Sequence, residues 1–118
     1  MIAGLGIDLT ELARIEAAQN KNTGFANKVL TPNEYAQFTK FSGARAVEYL
    51  AGRFSVKESY AKAYGTGLGQ VQLQDVETLD DDKGKPVITR HPYPGQALVS
   101  ISHTATLVMT EVILEAQA

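Results

Sequence analysis

With 118 residues and 12.7 kDa, the chain is the size of one domain, spanning 1–118, because independent cores need roughly 100 to 200 residues each. Hydrophobic residues at 44% and charged residues at 20% set it apart from the composition of disordered chains. The lack of cysteine excludes disulfide scaffolds, thiolate zinc sites, iron–sulfur clusters and a cysteine nucleophile, and a net charge of −2 argues against general nucleic-acid binding.

The segment Ile2 to Leu9 reads as a short buried strand, apolar and punctuated by glycine, with Asp8 at its end. It has no basic leader, so secretion is not expected, and no stretch approaches 18 uncharged apolar residues, so no membrane span is expected. Thr10 is the expected cap of a first helix that buries Leu12 and Ile15 and turns Arg14 outward. Thr31-Pro32-Asn33-Glu34 is a stronger start signal, combining a cap, a proline at the first helical position and a glutamate that can reach back to the cap. The run Ala44 to Tyr64 carries Val47, Leu50, Ala51, Phe54 and Ala61 at helical spacing and stops at Gly65, which makes it the long central helix. Beyond Gly69 the pattern becomes β-rich, over Val71 to Leu79, Pro86 to Thr89, Ala97 to Ser102 and Leu107 to Leu114, with a hairpin turn at 82–85 and a loop at 91–95. Early helices and late strands predict an α+β fold with a mainly antiparallel sheet packed against the central helix.

At about 100° per residue, with Phe54 as zero, the apolar stripe of that helix covers roughly −40° to 60°, and Glu58 falls inside it near 40°. A core-facing carboxylate is costly unless paired, protonated or bound to a cation. The plain alternative is an i, i+4 salt bridge with Lys62 at the margin of the stripe. The chemical alternative adds Asp8, giving two hard oxygen ligands suited to magnesium held together with substrate phosphates. Gly65-Thr66-Gly67-Leu68-Gly69 follows a helix, whereas phosphate-binding glycine loops of the P-loop and Rossmann types precede one, so both motifs are rejected. Ser100-Ile101-Ser102-His103-Thr104, at a strand end, suits phosphate contacts or proton handling, or a merely structural histidine. The first 67 residues hold 8 basic and 6 acidic side chains while the remainder holds 3 and 7, and most of the scattered basic residues read as a solvated face.

Gly6-Ile7-Asp8-Leu9 followed by Arg14-Ile15, then Phe54 to Gly67, then Ser100 to Thr104 together resemble the bacterial holo-acyl-carrier-protein synthases, the small type of 4′-phosphopantetheinyl transferase. The resemblance covers essentially the whole chain. Ser55 and Ser59 stand where many relatives carry alanine. The resemblance implies transfer of phosphopantetheine from coenzyme A to a serine of apo acyl carrier protein, with release of adenosine 3′,5′-bisphosphate, in cytoplasmic fatty acid biosynthesis. By the same resemblance, Asp8 and Glu58 would hold Mg2+, and Arg53, Lys57 and Lys62 would lie near the coenzyme's phosphates, with Lys62 stabilising the leaving group. Gly65, Thr66, Gly67, Ser102 and His103 would line that cleft, His103 positioning or handling a proton, with the serine's base left open between Glu58 and a metal-bound water. Arg14, Lys21 and Arg45 form the expected docking face for the acidic carrier protein. A homotrimer with clefts between subunits is also implied. The competing readings are a metal-dependent nuclease, which the charge disfavours, and a non-catalytic binder of coenzyme A or carrier protein, which would need no carboxylate pair.

Overall fold

The computed structural model describes residues 1–65 and 70–117. Strand β1 (Ile2–Glu11) leads into α1 (Leu12–Lys21), the short α2 (Phe25–Val29), α3 (Pro32–Phe38) and the 22-residue α4 (Gly43–Tyr64). A 3₁₀ turn at Leu73–Asp75 then precedes β2 (Glu77–Asp80), β3 (Pro86–Arg90), β4 (Gln96–His103) and β5 (Leu107–Glu115). The strands form an antiparallel sheet in the order β1-β5-β4 and a separate β2-β3 hairpin. Gly84 closes that hairpin with a φ of 82°, a conformation that glycine adopts without strain.

Helix α4 lies across the inner face of the three-stranded sheet and is buried on every side from Tyr49 to Lys57. One apolar cluster forms around its first half, with Leu12, Ile15, Val29, Leu50 and Phe54, and a second around its last turns, with Val56, Tyr60, Val112 and Leu114. Thr31 and Glu34 form the expected capping box of α3, and Gly65 ends α4 at a φ of 97°.

The structure differs from expectation in the length of β1, the place of Asp8, the stretch after α1 and the stretch 71–79. Strand β1 runs on to Glu11 because its ladder with β5 continues through Thr10 and Val108, so Thr10 is a strand residue and Glu11 occupies the N-cap of α1. Asp8 consequently lies inside the strand, opposite Thr110, and not at its end. The polar stretch after α1 contains the short helix α2, which buries Ala26 and Val29. The stretch 71–79 is a strand only from Glu77, because Asp75 caps a 3₁₀ turn before it.

Candidate active site

The approach of β1 to α4 builds the first half of the site. A Cβ on Gly6 would stand 1.9 Å from the carbonyl oxygen of Ser59, and one on Gly4 would stand 2.1 Å from that of Ala63. These two glycines let strand backbone lie directly on helix backbone, and Asp8, two residues on along the same strand face, is carried to α4. Asp8 Oδ2 accepts hydrogen bonds from Thr10 Oγ1 at 2.7 Å and Ser55 Oγ at 2.8 Å. Asp8 Oδ1 accepts a longer one, 3.3 Å, from Lys62 Nζ, which also donates to the carbonyl oxygen of Ile7 at 3.0 Å. The salt bridge between Glu58 and Lys62 does not form, because the lysine turns to β1 instead.

Glu58 is half-buried beside this pair. Burial pushes its proton affinity up and the Asp8 carboxylate pushes it further, while Lys62 and Arg14 act in the opposite direction. Among the described residues, no group of three His, Asp or Glu side chains converges as a metal site. Asp8 and Glu58 therefore stand as a two-carboxylate pair of hard oxygen donors. That donor set fits magnesium, which usually takes one or two carboxylates and completes its octahedron with water and phosphate oxygens. A cation there would remove the repulsion that disfavours two neighbouring charges.

The second half lies toward the start of α4. Buried Arg53 donates from Nε to the carbonyl oxygen of Thr78 and from its terminal nitrogen to Asp80, both at 2.8 Å, and lies over the Tyr49 ring. His103 Nδ1 is 3.9 Å from Glu48 Oε2. Arg53 and His103, with Arg45, Glu48 and Asp80, line one groove of about 220 Å³ whose walls do not include Asp8, Glu58 or Lys62. Glu48 and Glu58 are ten residues apart, which is about 15 Å along a helix. Ser102 departs from the expected shared cleft with His103, because strand alternation sends it to the outer face, where it lines a small hollow with Ile7 and Met109.

Lys57 also departs from its expected place. It is 1% exposed and its Nζ donates to Glu34 Oε1 at 2.9 Å and to the carbonyl of Val76, so it faces the protein interior and not a phosphate cleft. Glu34 and Glu77 were missed as buried polar residues. Glu34 takes Lys57 and the Thr31 and Thr78 backbone N–H groups, and Glu77 takes the Thr31 and Thr89 hydroxyls. The capping box had already signalled Glu34, but only the fold shows that the same carboxylate also receives a lysine. Gly65 is the helix stop, while Thr66 and Gly67 lie outside the described residues. Arg14 is exposed over the Phe54 ring, Lys21 is exposed at the end of α1, and Arg45 lies over Phe41 near Glu48.

The chain matches the 4′-phosphopantetheinyl transferase superfamily over residues 4–113. It is 66% identical over 115 residues to the holo-acyl-carrier-protein synthase of Lacticaseibacillus casei, covering 98% of this chain and 93% of that one. Identity to the enzyme of the same name from Latilactobacillus sakei is 61%, covering 98% of both. Among solved structures, the holo-(acyl-carrier-protein) synthase of Bacillus anthracis in complex with CoA (3′,5′-ADP) superposes with a TM-score of 0.92 at 41% identity, covering 99% of each chain. The Neisseria meningitidis enzyme gives 0.88 at 33%, covering 98% of this chain and 100% of that one.

Proposed function

Because the chain belongs to the 4′-phosphopantetheinyl transferase superfamily, among its holo-acyl-carrier-protein synthases, we propose that it moves 4′-phosphopantetheine from coenzyme A to a serine hydroxyl of apo acyl carrier protein. In the reaction, the serine oxygen bonds to the phosphorus that bears the pantetheine, the bond from that phosphorus to the oxygen of adenosine 3′,5′-bisphosphate breaks, and the serine's proton passes to a base, Glu58 or water. Magnesium is the metal, and fatty acid biosynthesis in the cytoplasm is the setting.

The observation that carries this reading is the partly open group of Asp8, Glu58 and Lys62, in which the lysine bonds Asp8 and leaves the Glu58 carboxylate beside it undermatched. Asp8 and Glu58 would hold the ion, and when bound it would offset negative charge on the coenzyme's pyrophosphate. Lys62 reaches solvent from the same spot and can meet the departing phosphate. Arg45, Arg53 and His103, with Glu48 and Asp80, line a second groove that would take the nucleotide's remaining phosphate.

The two halves lie apart within one protomer, which supports a homotrimer whose clefts join one half from each of two neighbours. The outer face of the sheet supports it too, because Leu5, Ile7, Leu9, Leu98 and Met109 are all exposed there. Arg14, near Glu58, with Lys21 and Arg45 would receive the acidic carrier protein.

The test is intact-mass spectrometry of apo acyl carrier protein incubated with coenzyme A and this protein, in magnesium and in chelator. One added phosphopantetheine per carrier, in magnesium only, is the expected result. No addition across several competent carriers overturns the reading, and a monomeric mass by sedimentation equilibrium overturns the trimer.

A further inference from the structure

Four hydroxyls are buried between α4 and the sheet, on Thr10, Ser55, Ser59 and Thr110. Three of them form a chain that ends on Asp8. Ser59 Oγ lies 2.6 Å from Thr110 Oγ1, Thr110 Oγ1 lies 2.8 Å from Ser55 Oγ, and Ser55 Oγ lies 2.8 Å from Asp8 Oδ2. The direction of the bonds follows from counting protons. An ionised carboxylate can only accept, so the single Ser55 proton goes to Asp8. Ser55 then accepts from Thr110, while the one Ser59 proton is shared between Thr110 Oγ1 and the Thr110 carbonyl oxygen 3.1 Å away. The Thr110 and Ser55 O–H groups therefore point toward Asp8, and each bond polarises the next.

Thr10 adds a second donor to the same oxygen at 2.7 Å, so Oδ2 is occupied on the protein side while Oδ1 is left facing Lys62. We propose that Ser55, backed by Thr110 and Ser59, is a positioning residue that fixes the Asp8 carboxylate so that it presents Oδ1 to the cation. This inference rests on the two-carboxylate reading above. Ligand-orienting partners of this kind commonly alter metal affinity about 10- to 100-fold when removed. A mere packing role for these small side chains would leave metal affinity untouched.

The experiment measures Mn2+ binding to the purified protein by electron paramagnetic resonance of the free ion, alongside thermal melting and the Mg2+ dependence of turnover. Ser55→Ala should keep the fold and weaken Mn2+ binding about tenfold, with the rise in Mg2+ requirement exceeding any fall in kcat. Thr110→Val and Ser59→Ala should give successively smaller losses, because each removes a donor further from Asp8. If Ser55→Ala does not fold, Thr110→Val carries the same test with little change in side-chain shape. Wild-type Mn2+ affinity in Ser55→Ala, or losses of equal size at all three positions, would overturn the proposal. Asp8→Asn separates the two readings: if the wild type binds Mn2+ no better than this variant, the two-carboxylate site itself is wrong, and the positioning role falls with it.

Discussion

Lys57 and Lys62 stand five residues apart on α4 and each meets a carboxylate from another element, but in opposite surroundings. The Lys57–Glu34 pair is sealed, at 1% and 0% side-chain exposure and 2.9 Å, and both Glu34 oxygens are occupied. The Lys62–Asp8 pair is 53% and 12% exposed and 3.3 Å apart, and Glu58 beside it adds a carboxylate that has no cation of its own. A buried charge must be matched almost completely or the fold loses stability, whereas an open one can stay undermatched at little cost. The sealed group therefore reads as structure and the undermatched group as a place for a ligand. Both are a lysine against carboxylates, so charge type alone does not tell them apart.

Removing one partner of the sealed pair should give the largest effect on stability. Lys57→Met leaves Glu34 buried and unpaired, and should cost about 3–5 kcal/mol in denaturant unfolding, with Lys57→Met/Glu34→Gln recovering part of that loss. A loss below about 1 kcal/mol would show that the pair is not sealed, since values of that size belong to exposed ion pairs.

Gly6→Ala comes next. Its Cβ cannot stand 1.9 Å from the Ser59 carbonyl, so β1 must move off α4 at a cost of about 1–3 kcal/mol. Because the shift lies beside Asp8 and away from Glu34, metal affinity should fall with stability, whereas Lys57→Met should affect stability first. Equal effects on metal affinity from both variants would erase the distinction.

Glu58→Gln should have the smallest effect on stability and the opposite sign. The carboxyl's proton affinity is raised in the folded chain, so ionised Glu58 opposes folding at neutral pH. That penalty is absent below the ordinary glutamate value of 4.5 and develops as pH rises through the raised folded value. The variant should thus melt slightly higher than wild type at pH 7, equal to it near pH 4, and lose turnover at both. A lower melting temperature at pH 7 would mean that Glu58 is already matched and that the open group resembles the sealed one.

The capping box of α3, the span of α4, the Gly65 stop and the β-rich second half were legible because each depends on neighbours within a few residues. Glu58 was legible for the same reason, since one helical period is enough to show a carboxylate among apolar positions. The alternating Gly4 and Gly6 ahead of Asp8 carried a further signal, two bare positions on one strand face, which marks a close backbone approach but does not say to what. The partner choices lay beyond any local pattern. Lys57 and Lys62 have the same chemistry, and both were assigned to phosphates; that Lys57 turns to Glu34, 23 residues earlier, and Lys62 to Asp8, 54 residues earlier, depends on which elements pack on each side of α4. The length of β1, the hydroxyl chain to Asp8 and the separation of Arg53 and His103 from Glu58 were likewise decided only by the tertiary structure. The sequence by itself determined the start of α3, the span and stop of α4, the β-rich second half and which residues could hold a cation, because propensity, capping and periodicity act over a few residues. Which of those residues face one another was decided by long-range packing, because burial and hydrogen-bond matching are properties of assembled elements.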